Sequence, residues 1–202
     1  MEAMPAIEEP TELSPTPRSD AVSFTMPVGA WRRLFADIAE ERAGALESLY
    51  DAMAPHLFGL AVCRTRNRED AADVVAETFA RVAAQGERLR AVRNPRSWLL
   101  TVTRRLTIDV ARQRKRRAAE PIETAACVAA PEAEPGRSVD ASRAARLLAR
   151  LPDRQREVIY LRHFAECTFA AIGDIVGVPT FTAASRYRLG LRRLRALMEE
   201  TS

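Results

Sequence analysis

The side chains with the most obvious chemical capacity in this chain are arginines, and their chemistry is the grip of a polyanion. Thirty of the 31 basic residues are arginine, with Lys115 the exception. A guanidinium presents a planar fork that matches phosphate and guanine edges better than the point charge of lysine. The densest run lies between residues 88 and 117. It holds Arg88, Arg90, Arg93, Arg96, Arg104, Arg105, Arg112, Arg114, Lys115, Arg116 and Arg117 against Asp109 alone. Such a density repels itself unless phosphates neutralise it. The formal net charge of +4 hides this segregation. Residues 30–117 and 143–202 are basic, and residues 1–29 and 118–142 are acidic. Blockwise separation of this kind points to a nucleic-acid partner.

Other chemistry finds little support. His56 and His163 are far apart in the chain, without a nucleophile or carboxylate pattern around them. No phosphate-cradling glycine loop is present, so an enzyme is not expected and no cofactor is implied. Cys63, Cys127 and Cys167 are too widely spaced for a metal site or a disulfide framework. Cys63 and Cys167 sit among apolar neighbours and read as core. No apolar run approaches the roughly 20 residues of a membrane span, and the acidic N-terminus does not read as a secretory leader. A cytoplasmic protein is expected.

The arginines need elements to position them. Periodicity of 3.6 residues dominates 30–117 and 143–200, which predicts an all-α chain of two small helical domains. Eight of the 12 prolines fall in 1–29 and 118–142. These stretches read as a flexible acidic tail and a flexible acidic linker. The remaining prolines, Pro55, Pro95, Pro152 and Pro179, are placed where helices begin or end. Stripes through Trp31, Leu34, Phe35, Ile38, Leu46 and Leu49, broken near Gly44, and through Tyr50, Met53, Leu57 and Leu60 predict the first helices. Ala71, Val74, Val75, Thr78, Phe79 and Val82 form one apolar face, opposite Asp70, Asp73, Glu77 and Arg81. A carboxylate face beside a basic domain suits a protein partner better than DNA. Trp98, within Trp-Leu-Leu on the helix over 96–112, is expected in the core.

The sharpest local pattern runs from Thr168 to Met198. Gly173 is small where two helices cross, Gly177 suits a left-handed turn, and Pro179 cannot continue the first helix. Thr180 or Thr182 can cap the second helix. Ala183, Tyr187, Leu191, Leu194 and Met198 are expected inward. Thr182, Ser185, Arg186, Arg188, Arg192 and Arg195 remain at the cap or on the outer side. This is a helix-turn-helix whose second helix would enter a major groove.

In their order these segments resemble the extracytoplasmic-function class of bacterial RNA polymerase sigma factors. Leu46-Glu-Ser-Leu-Tyr and the Arg68 to Val82 segment are similar to regions 2.1–2.2 of that family. Asn94 to Arg112 resembles regions 2.3–2.4, and Leu151-Pro-Asp-Arg-Gln-Arg-Glu-Val-Ile-Tyr-Leu-Arg resembles the opening of region 4. The resemblance implies that 30–117 is a region 2 domain and 143–202 a region 4 domain. It implies docking of Asp70, Asp73, Glu77 and Arg81 on the clamp helices of the largest polymerase subunit, and a second contact at the flap. Arg88, Arg90, Arg93, Asn94, Arg96, Arg104, Arg105 and Arg112 would hold the −10 element. Thr182, Ser185, Arg186, Arg188 and Arg192 would read the −35 element. The 118–142 linker would thread towards the RNA exit channel, and an anti-sigma factor is an expected partner. The chain departs from the family pattern at Ala76, Ala83 and Arg105. The competing reading is a stand-alone helix-turn-helix regulator, which leaves the acidic face and the 88–117 run without a purpose.

Overall fold

A computed structural model describes residues 26–119 and 146–200, and every regular element among them is helical. The expected 1–29 tail and 118–142 linker fall almost wholly outside these residues. Helix α1 (Val28–Ala39) buries Trp31, Leu34 and Phe35. The Trp31 indole donates to the Met26 carbonyl at 3.1 Å, which fixes how the chain enters. Gly44 turns the chain with φ 79° into α2 (Ala45–Thr65). Pro55 lies inside α2, not at a helix end as expected. Asn67 accepts from the Asp70 amide at 2.8 Å and starts α3 (Arg68–Gln85). The buried face of α3 is Ala71, Val74, Val75, Thr78, Phe79 and Val82, the stripe expected from the sequence.

A 3-10 turn over Gly86–Ala91 sinks Leu89 into the core. Helix α4 (Pro95–Ala119) follows, with Asn94 Oδ1 accepting from the Ser97 amide at 3.2 Å and Pro95 at the first helical position. It extends well beyond residue 112, where the apolar pattern stops. Trp98 packs edge-on against Phe35, with centroids 5.9 Å apart, so its ring belongs to the core. The second half contains a helical turn at 146–149, α5 (Asp153–His163), α6 (Phe169–Val176) and α7 (Thr180–Glu199).

The described residues form the two helical regions expected, and these regions also pack on one another. One continuous core takes in Trp31, Leu49, Leu60 and Leu99 from the first half and Val158, Leu161, Ile172 and Ile175 from the second. Helix α5 packs on α2, and α6 packs on α4. Gly59 permits this approach, because a Cβ there would collide with the Tyr160 ring. Polar bonds cross the same seam. The Tyr160 hydroxyl donates to the His56 carbonyl at 2.9 Å, and His56 Nδ1 donates to the Phe164 carbonyl at 3.0 Å. Arg156 is buried and donates through Nε to the Cys63 carbonyl at 2.7 Å.

Candidate nucleic-acid interface

The turn between α6 and α7 is built by short-range sterics. Thr168 caps α6 by accepting from the Ala171 amide at 3.2 Å. Gly177 closes the helix with φ 69°. The Val178 amide then donates to the Gly173 carbonyl at 2.9 Å. A Cβ on Gly173 would sit 2.7 Å from the Val178 oxygen, so only glycine fits there. Pro179 is the N-cap of α7, and no side chain caps that helix. The expected cap from Thr180 or Thr182 is therefore not formed; both residues lie inside the first turn. The backbone has already turned at Pro179, one residue earlier than the sequence pattern implied.

Helix α7 packs through Ala183, Gly190 and Leu197. Tyr187 fills the space between them, donating or accepting at 2.9 Å with His163 Nε2 and meeting the Phe169 ring at 5.3 Å. Leu191 and Leu194 are half-buried, but Met198 is exposed. Leu197 takes the inward place expected of Met198, because the packing stripe reaches 197 after Ala183, Gly190 and Leu194. The outer side carries the exposed Arg188, Arg192 and Arg195 and the half-buried Ser185, with Thr182 and Arg186 half-buried along one flank. Among the described residues, no acid pairs with Arg186, Arg188, Arg192 or Arg195. Arg188, Arg192 and Arg195 form a row of uncompensated guanidiniums on one helix face, which can accept phosphates and base edges.

The eight −10 candidates do not form one open surface. Arg88, Arg93, Arg105 and Arg112 are exposed. Arg90 is held by Glu40 at 2.6 Å and Glu87 at 2.8 Å. The Arg90 bond, with the Arg42 charge beside it, holds the Glu40 carboxyl below its ordinary value. Asn94 serves as the cap of α4. Arg96 donates to the Ala165 carbonyl at 2.8 Å, and Arg104 binds Glu157 at 2.8 Å, both across the seam. On the outer face of α4, Arg105 and Arg112 are one i, i+7 step apart, with Arg116 continuing the row.

On α3 the structure separates the four docking candidates. Asp73, Glu77 and Arg81 are exposed, with Glu77 and Arg81 paired at 2.8 Å. Asp70 turns aside to Arg114 at 2.7 Å. Ala76, Ala80 and Ala84 keep the exposed surface low between them.

Sequence reasoning missed Arg64, Arg156, Glu157 and Tyr160. The Glu157 carboxylate, 3% exposed, binds Arg64 at 3.0 Å and Arg104 at 2.8 Å. The available signal was local. Glu157 is four residues before Leu161, so it shares that buried helix face. Burial raises the Cys63 and Cys167 thiols to about 11, which leaves both protonated at neutral pH. Among the described residues no group of three or more His, Cys, Asp or Glu could hold a metal ion. No described helix is long and apolar enough to cross a membrane.

Comparison with known proteins decides between the competing readings. Residues 49–117 match the sigma-70 region 2 family and residues 147–196 match sigma-70 region 4. A sigma factor of the extracytoplasmic-function class, SigK of Mycolicibacterium vanbaalenii, is 30% identical over 173 residues, covering 80% of this chain and 86% of that protein. The chain belongs to the extracytoplasmic-function family of RNA polymerase sigma factors. SigL of Mycobacterium tuberculosis is 29% identical over 167 residues, with 80% and 93% of the two chains covered. A solved complex of the sigma factor RpoE with the anti-sigma factor NepR from Bartonella quintana matches with a TM-score of 0.59. That match is at 25% identity and covers 72% of this chain and 91% of that one. CnrH, solved with the cytosolic domain of CnrY, matches in fold with a TM-score of 0.61 at 22% identity, covering 86% and 99%. The sigma factor therefore acts in transcription initiation. A stand-alone regulator is not favoured, because the first half of the chain is itself a region 2 match.

Proposed function

We propose that this sigma factor docks on core polymerase through the exposed face of α3 and reads promoter DNA through two separate surfaces. Asp73, Glu77 and Arg81 form the docking face, with Asp70 behind them. Arg88, Arg93, Arg105 and Arg112 meet the −10 element directly. Thr182, Ser185, Arg186, Arg188 and Arg192 meet the −35 element. Residues 30–117 and 143–202 are the corresponding domains. The observation that carries this reading is the arginine row of α7, which has no acidic partner among the described residues and lies on the outer side of a helix-turn-helix. The sigma factor supplies specificity and no catalysis of its own, and works in the cytoplasm. An anti-sigma protein, of the kind solved with the RpoE neighbour, is a partner in this reading, as is the polymerase flap.

The same reading requires the two halves to part. Elements named −10 and −35 lie about 25 base pairs apart, or roughly 85 Å of duplex at 3.4 Å per step. Helices α4 and α6 are in contact in the closed arrangement, and Arg96 and Arg104 face the other half. The 26 residues of 120–145 can reach at most roughly 90 Å when extended, which suffices for the separation. Opening would release Arg96 and Arg104 for the −10 strand.

The test is a pull-down with bacterial core polymerase followed by run-off transcription on genomic fragments. Stoichiometric binding and new, specific start sites are expected. Salt-sensitive DNA binding without any binding to core would overturn the reading.

A further inference from the structure

Among the exposed large hydrophobic residues, Phe181 stands out at 74% exposure, against 51% for the next, Val28. Its place is more telling than its exposure. It is the second residue of α7, at the end of the helix that meets the groove first. At 100° per residue, Phe181, Ser185, Arg188, Arg192 and Arg195 fall within about 40° of one direction. The phenyl ring therefore begins the same outer row that carries the arginines. It has no inward alternative, because Ala183 and Gly190 occupy the packed side of the helix. Its backbone is fixed as well. The Thr182 and Ala183 amides both donate to the Pro179 carbonyl, at 2.9 and 3.1 Å.

The one apolar group that a base edge presents in the major groove is the C5-methyl of thymine. Guanidiniums along the row complement the phosphates on either side of such a contact. We infer that Phe181 is a specificity-determining residue of the −35 contact and packs against a thymine methyl. The inference rests on the reading of α7 as the DNA-binding helix and goes beyond it by naming the residue and the base feature that it selects.

The experiment uses holoenzyme assembled from core polymerase and the full chain. The probe is the promoter fragment that gives the strongest run-off transcript on genomic DNA. Each thymine of its −35 segment is replaced in turn by deoxyuridine, which deletes the methyl and keeps the pairing. One replacement is expected to weaken binding about fourfold, the worth of burying one methyl group. The Phe181→Ala holoenzyme is expected to bind the unmodified fragment weaker by at least that factor and to lose the methyl dependence. Phe181 is exposed, so this variant keeps its fold. Equal sensitivity to the replacement in both proteins, or no sensitive thymine at all, overturns the inference. An Arg188→Ala holoenzyme separates the two levels of the argument. A weakened, shallower salt dependence with Arg188→Ala, but no methyl dependence through Phe181, defeats only the Phe181 assignment. Unchanged binding with both variants shows that α7 does not touch DNA, and then both readings fall.

Discussion

His56 shows how one residue registers the state of the whole chain. Burial, and secondarily the nearby Arg96 charge, lower its pKa, while its bond to the Phe164 carbonyl works the other way. An unfolded histidine titrates near 6.5, so the unfolded chain binds this proton more readily than the folded one. The contribution is fully present above about pH 6.5 and is lost as the pH falls below that value towards and through the lower folded one. The melting temperature of the wild-type chain is expected to fall between pH 7.5 and 5.5. In His56→Gln this part of the fall is absent, and an unchanged pH profile in that variant would contradict the assignment. Glu157 is the more consequential residue for packing. A buried carboxylate is costly alone, and here two guanidiniums from different helices compensate it. Neither histidine nor glutamate could be assigned a partner beforehand, since both partners lie far away along the chain. The outward arginines of α7 were legible, because helical period alone fixes which side they face. Phe181 was not, because an aromatic residue near a helix start reads as core until its exposure is known.

Helix α3 was legible at the scale of the element. Its apolar stripe repeats for three turns, and the carboxylates fall on the remaining side. The Glu77–Arg81 pair is exposed, so Glu77→Lys is expected to cost less than about 1 kcal/mol of stability. Its affinity for core polymerase is expected to fall at least tenfold, measured by fluorescence anisotropy; unchanged affinity would remove α3 as the docking face. The turn before α7 makes a different prediction. In Gly173→Ala the new methyl meets a backbone oxygen that cannot move cheaply. A loss of about 2 kcal/mol in urea denaturation is expected, and a neutral result would show that the turn is not under this constraint. Pro55 and Met198 mark the limits of periodicity. Tertiary packing holds α2 together through its proline, and a small change in phase over five turns moved the inward position to Leu197.

For the whole molecule, the composition pointed to two basic bodies, and the packing between them could not be inferred. Contacts such as Arg64–Glu157 and Gly59–Tyr160 join positions about a hundred residues apart, and no local pattern encodes them. Gly59 offers a clean separation of the two levels. Alanine favours an isolated helix over glycine by about 1 kcal/mol, yet here its methyl would strike Tyr160. Gly59→Ala is therefore expected to keep its helical content by circular dichroism while the radius of gyration by small-angle scattering increases. An unchanged radius would mean that the seam tolerates the wedge. The shared core also explains why the proposed −10 surface is incomplete in this state. Arg96 and Arg104 hold the halves together, and in the proposed reading the same two side chains are used again on DNA.

The separation of the halves is tested most directly by energy transfer between dyes at Ala91 and Glu166, which flank the Arg96–Ala165 contact. The free chain is expected to give high transfer. Holoenzyme bound to a promoter fragment is expected to give low transfer, with a separation approaching the spacing of the two DNA elements. High transfer that persists in a transcriptionally active promoter complex would contradict the account.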